Sequence, residues 1–139
     1  MRSRLIVHCT ALTALILAPA SQAQEQAAPE ESRRPVMLAG GEDVDPCALG
    51  MIQDPPTGGE TGAILVFAGP SSEFEVVDTL GDGNSVWVCD VVGDMLGIVY
   101  SHDPDWDCDI PNPEPETRPY FGPCASGWVK SEWVEVIAG

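Results

Sequence analysis

Residues 103–109 read Asp103-Pro104-Asp105-Trp106-Asp107-Cys108-Asp109, which places four carboxylates at alternate positions. Short acidic runs of this kind supply the oxygen ligands that Ca²⁺ accepts. The central Gly and terminal Glu of the EF-hand pattern are absent, however, and the prolines and the Cys restrict how the segment could wrap an ion. A solvated acidic loop accounts for the same residues without a metal. The expectation is no cofactor, with calcium at Asp103, Asp105, Asp107 and Asp109 as the alternative.

Catalytic constellations are harder to assemble. Beyond residue 23 the one His is His102, the cysteines suit disulfides better than thiolate chemistry, and Ser126 is a turn serine with no base partner in view. Two carboxylates could form an acid/base pair, but such a pair needs a cleft that a very small domain rarely builds. The aromatics Trp106, Tyr120 and Phe121 lie in or beside the acidic run. They could line a binding groove or form the small core of their own loop.

The elements that position these residues begin after a processed N-terminus. Met1 to Arg4 is a basic head, residues 5–18 are mostly apolar, and Ser21-Gln22-Ala23 is a signal-peptidase pattern, so residues 1–23 are predicted to be a signal peptide. The apolar run falls short of the roughly 20 residues that span a bilayer, so no membrane insertion is expected after processing. Removing Arg2 and Arg4 leaves four of the six basic residues against 22 acidic ones, a formal charge of −18. So acidic a surface repels nucleic acid and anionic lipid and favours cationic partners. Cys9 leaves with the signal peptide, and Cys47, Cys89, Cys108 and Cys124 remain. An even number in a short exported chain predicts two disulfides, with three pairings open. A zinc site is the rival, without a C-x-x-C pair to support it. The predicted location is periplasmic or secreted.

Residues 24–43 have little apolar content and are predicted to be a flexible leader. Residues 44–139 form the predicted domain. It opens with an apolar segment around Cys47 that serves as an N-terminal strand or cover, and a turn-rich connector occupies residues 53–61. Strands are predicted at 64–67, 74–80, 86–91 and 96–100, separated by Gly69-Pro70-Ser71-Ser72, Gly81-Asp82-Gly83-Asn84 and Gly93-Asp94. Gly127-Trp128-Val129 and the alternating Val134-Glu135-Val136 close the series. Residues 101–119 hold five prolines and six acidic residues and read as a long acidic loop bracketed by Cys108 and Cys124. A bond between these two would contribute roughly 3 kcal/mol. Close strand spacing without helical period indicates an all-β fold, most economically one small barrel.

Residues 64–88, Ile-Leu-Val-Phe-Ala-Gly-Pro-Ser-Ser-Glu-Phe-Glu-Val-Val-Asp-Thr-Leu-Gly-Asp-Gly-Asn-Ser-Val-Trp-Val, resemble the bacterial SH3-like domain. That family shows L-x-V-R-x-G-P-S, an aromatic followed by V-I and x-x-L, then x-x-G-x-x-V-x-V and a closing G-W-V with an aromatic soon after, here Gly127-Trp128-Val129 and Trp133. The resemblance spans residues 64–136. It implies an all-β, SH3-like barrel, here with an N-terminal extension and a long acidic loop before the last strand. Three departures stand out: Phe67 where Arg is frequent, Met95 where a Gly-Trp pair is common, and the length of the loop. Members often bind cell-wall peptides or other ligands in an aromatic-lined groove. Because of these departures the ligand does not carry over from the resemblance; the expected function is a non-catalytic envelope module for a cell-wall peptide or envelope protein, with Trp106, Tyr120, Phe121, Phe74 and Tyr100 as groove residues. The alternatives are an acidic inhibitor or scavenger of cationic proteins, or a structural envelope protein. With Val76, Leu80, Val86, Val88, Ile98 and Val129 inward, Trp87 and Cys89 point outward. The segment carrying Cys47 is the available cover for that face, which favours Cys47–Cys89 and Cys108–Cys124.

Overall fold

Met-Leu-Gly-Ile-Val-Tyr, the strand β6 (Met95–Tyr100), has no polar position to turn toward water, and all six of its residues are buried. A strand of this composition must be covered on both faces, and the rest of the fold supplies the two covers. The structure, a computed structural model, describes residues 33–55 and 62–138. The predicted signal peptide, the leader up to residue 32 and connector residues 56–61 lie outside these.

The other strands are β1 (Met37–Leu38), β2 (Ala48–Ile52), β3 (Ala63–Phe67), β4 (Val76–Gly81), β5 (Ser85–Val92), β7 (Arg118–Pro119), β8 (Ala125–Lys130) and β9 (Val134–Ala138). Seven of the strands form one antiparallel sheet in the order β4-β3-β8-β6-β5-β2-β9, and β1 pairs with β7 in a separate ladder. A 3₁₀ turn, Ser131–Trp133, joins β8 to β9, and the described residues contain no α-helix. The fold is all-β, as expected. The ladder itself is open rather than closed, because among the described residues no pairing joins β4 to β9.

The sheet nevertheless curls around one core. Ile52, Ile64, Val66, Leu80, Val86, Leu96, Ile98, Tyr100 and Val129 pack together with the half-buried Val88 and Val134, so all seven strands contribute. Of the predicted inward residues, Val76 is the exception, at 44% exposed. Val66 lies opposite Asp78 and Phe67 opposite Val76, which leaves Val77 as the extra residue of a bulge. The bulge breaks the period of two, so Val77 packs on the inner core in place of Val76.

A second core covers the outer face. Phe67, Cys89, Met95, Val99 and Trp128 of the sheet meet Val36 and Leu38 from the N-terminal segment and Cys108 and Tyr120 from the long loop. The prediction of a flexible leader through residue 43 is therefore corrected over its described part. Val36 and Leu38 are the apolar alternate positions of Pro35-Val36-Met37-Leu38, and both are fully buried. Tyr120 N–H donates to the Val36 carbonyl (2.9 Å), Gly41 N–H to the Glu114 carbonyl (2.8 Å) and Met37 N–H to Asp90 Oδ2 (3.1 Å). A Cβ at Gly40 would lie 2.1 Å from the Thr117 nitrogen, so only glycine permits this approach.

Both disulfides are formed, Cys47–Cys89 and Cys108–Cys124. Such bonds persist in oxidising compartments. Among the described residues no helix is long and apolar enough to cross a membrane. Phe67, Met95 and the loop residues Cys108 and Tyr120 all belong to the outer core.

Candidate functional site

The long loop starts where β6 ends, and its first turn forms one wall of a cleft. Asn84 and, from the start of β5, Ser85 and Trp87 share a cavity of about 240 Å³ with Tyr100, His102, Asp103 and Trp106. Trp87 sits there because the period of two turns it away from the inner core between Val86 and Val88, and it stays 39% exposed. Trp106 is 58% exposed. It is carried by a tight turn in which Trp106 N–H donates to the Asp103 carbonyl at 3.2 Å.

Tyr100 and His102 at the floor of the cleft are hydrogen-bonded to Asp78, which does not itself border the cavity. Leu80 faces inward, so Asp78, two residues earlier on β4, points to the same side, where Tyr100 Oη donates to Asp78 Oδ2 at 2.9 Å. His102 Nε2 lies 2.8 Å from the same oxygen, and Thr79 N–H donates to Oδ1 at 2.7 Å. The His102 and Tyr100 rings meet edge to face at 5.7 Å. These contacts tie the edge strand β4 to the far end of β6, where no backbone ladder joins them.

Burial by itself would raise the Asp78 pKa, but the His102, Thr79 and Tyr100 hydrogen bonds outweigh it and the carboxyl titrates below its ordinary value. Burial, followed by the hydrogen bond to Asp78 and then that carboxylate's charge, pushes the Tyr100 phenol well above its ordinary range. Asp78 thus contributes stability that is present above its ordinary pKa of 3.8 and lost as pH falls through its lowered folded value. Tyr100 contributes stability that is present below its ordinary 10.0 and lost as pH rises toward its raised folded value. Many other carboxylates also titrate in acid, so the comparison is between variants. The stability difference between wild type and Asp78→Asn should shrink on the acid side of pH 3.8. That between wild type and Tyr100→Phe should shrink above pH 10.0. Urea midpoints measured across pH check both, and parallel curves would contradict the assignment.

The five aromatic residues expected to line one groove do not do so. Trp106 and Tyr100 border this cleft, but Tyr100 is only 2% exposed. Tyr120 and Phe121 border a different cavity on the other side of the loop. Tyr120 is a core residue whose hydroxyl donates to the Cys108 carbonyl at 2.8 Å and accepts from Cys124 N–H at 3.0 Å, which braces the disulfide. Burial pushes the Tyr120 phenol up, Cys124 N–H pulls it back, and the charges of Asp109 and Asp107 add to the rise. Phe74 packs on the outer core and fills the space over Gly69, where a Cβ would lie 2.5 Å from its ring. Spacing in the sequence could not separate these roles, because a loop aromatic that packs inward and one that faces water look alike.

The chain matches no protein-family model, no curated protein and no solved structure.

The acidic run itself forms turns. Asp103 Oδ1 accepts from Asp105 N–H at 3.0 Å, and Asp107 Oδ1 from Asp109 N–H at 2.9 Å. Among the described residues no three His, Cys, Asp or Glu side chains converge as a metal centre requires. Glu114, by contrast, is buried at 2% and pairs with Arg118, whose Nε and a terminal nitrogen lie 2.9 and 2.8 Å from Oε2. Trp87 and the Asp78 group are the parts of the site that sequence reading missed. The outward register of Trp87 was visible in β5, but the approach of β4 to the end of β6 depends on how the sheet curls.

Proposed function

We propose that this protein is a non-catalytic binding module of the cell envelope, of SH3-like type, which recognises a cell-wall peptide or an envelope protein. The observation that supports this reading is the cleft between Trp87 and Trp106, two large exposed aromatic side chains held by a rigid strand and a disulfide-anchored loop. Aromatic anchors on pre-ordered elements bind at low entropic cost, which suits recognition. His102 is engaged with Asp78 and Tyr100 at the cleft floor, an arrangement that fits holding the loop in place. The exposed Asp103, Asp105 and Asp107 next to Trp106 give the cleft an acidic rim, and a ligand with a basic side chain complements both features.

The rim also favours a second reading, in which charge alone captures cationic proteins. Salt and substitution distinguish the two. A ligand recovered from an envelope extract should stay bound as ionic strength rises if the aromatics anchor it, and should be released if charge alone holds it. Trp106→Ala should weaken binding by more than about 1 kcal/mol without unfolding the protein. Asp105→Asn with Asp107→Asn should cost less and flatten the salt dependence. Calorimetric titration gives the ranking, and the reverse order would replace the aromatic cleft with a charge-led site.

A further inference from the structure

Two of the four basic residues that follow position 23 are adjacent, Arg33 and Arg34, and both border the second cavity, about 350 Å³ in volume. Its other walls include Ala68, Val77, Phe121 and Ser126. Arg34 is fixed from three directions. Its N–H donates to the Ala68 carbonyl at 3.0 Å, its carbonyl accepts from Trp128 Nε1 at 2.8 Å, and its guanidinium lies 5.3 Å from the centroid of the Trp128 ring. A guanidinium held over a ring still has N–H donors for an anion. Among the described residues the ion pairs are His102–Asp78, Arg118–Glu114 and Lys130–Glu132, and none involves Arg33 or Arg34. On so acidic a chain, two neighbouring cations among the described residues form a local feature that would attract an anion.

The apolar side of the cavity is equally specific. Phe121 is 80% exposed although it directly follows the buried Tyr120, and Ala68 and Val77 lie across the same cavity. Val77 belongs to β4, an edge strand of the open sheet, where backbone groups on the outer side have no ladder partner among the described residues. The geometry points to a second binding site, for the free α-carboxylate of a polypeptide whose last residue is apolar. The carboxylate pairs with Arg33 and Arg34, the terminal side chain packs against Phe121, Ala68 and Val77, and the preceding backbone runs along the β4 edge. A fatty acid shares the carboxylate and the apolar chain. It has no backbone to lie along a strand edge, which is the contact that separates the two ligands.

The probes are fluorescently labelled pentapeptides ending in Val, Leu or Phe, each as free acid and as C-terminal amide, titrated into the oxidised protein and followed by anisotropy. The free acids should bind, and the amides should bind at least about tenfold more weakly, since they lose the charge-assisted contacts. Arg33→Gln with Arg34→Gln should reduce the preference for acid over amide to near unity. Arg34→Lys should recover only part of it, because an ammonium neither stacks nor forks as the guanidinium does. Arg34 also anchors the N-terminal segment, so Phe121→Ala serves as the variant that cannot disturb the core, and it too should weaken free-acid binding at least about fivefold. Equal affinity for acid and amide overturns the proposal. So does the absence of saturable binding up to about 1 mM peptide, and so does binding of dodecanoate where the peptides fail.

Discussion

Trp128→Ala should lower the free energy of unfolding by about 3–5 kcal/mol, the range seen for large aromatic deletions in packed cores. Trp128 has no exposed surface, and it is the residue on which the outer core converges. Its ring approaches Gly97 of β6 closely enough that a Cβ there would lie 3.3 Å from Cη2. Its indole N–H holds the Arg34 carbonyl, and its face carries the Arg34 guanidinium. Alanine would therefore leave a cavity and also release the N-terminal segment from the sheet. Domains of this size are stable by only about 5–15 kcal/mol, so the loss is a large share of the total. Trp128→Phe keeps most of the volume and should cost about half as much or less. Guanidinium unfolding monitored by circular dichroism measures both. A loss below about 1 kcal/mol for the alanine variant would mean that the outer core contributes little.

Removing the disulfides should produce the second large effect, with an order set by loop length. Cys47–Cys89 closes a separation of 42 residues and Cys108–Cys124 one of 16. On the chain-entropy account these correspond to about 4 and about 3 kcal/mol respectively. Paired alanine substitutions, Cys47→Ala with Cys89→Ala and Cys108→Ala with Cys124→Ala, test this by denaturant midpoint. The two sites differ in a second respect that could reverse the order. Each bond joins a buried outer-core cysteine, Cys89 or Cys108, to one at the margin, Cys47 or Cys124, but the second is in addition braced by the Tyr120 hydroxyl, which donates to the Cys108 carbonyl and accepts from Cys124 N–H. A larger loss for Cys108 and Cys124 would show that packing of the loop outweighs the entropy of the unfolded chain.

Much of the sheet was legible in the sequence because strand and turn chemistry is local. The turns at Gly69-Pro70 and Gly83-Asn84, the alternation of Val86 and Val88, and the closing Trp128-Val129 are written in consecutive residues. The cover over Cys89 could also be inferred, since an outward Cys on a strand needs a partner. What could not be read was the second core. Pro35-Val36-Met37-Leu38 is too short to signal a strand, and its partners, Trp128 and Tyr120, come more than eighty residues later. The unbroken apolar run of β6 was the available sign that both faces of the sheet are buried, and a short apolar run does not by itself reveal which segments lie above and below it. The candidate site followed the same division. Trp106 on the acidic loop was found, whereas Asp78, Tyr100 and His102 meet only because the sheet curls.

The docking of the N-terminal segment on Trp128 also sets an order of events during synthesis. Arg34 and Trp128 are 94 residues apart, so a chain made from its N-terminus has Val36 and Leu38 waiting without a surface until β8 has emerged. Until then the outer faces of β3, β5 and β6 lack both their covers, the N-terminal segment and the folded loop. Contacts of such separation slow folding, because the closure entropy must be met before the contact rewards it. The first described residues of this chain are thus among the last to find their places.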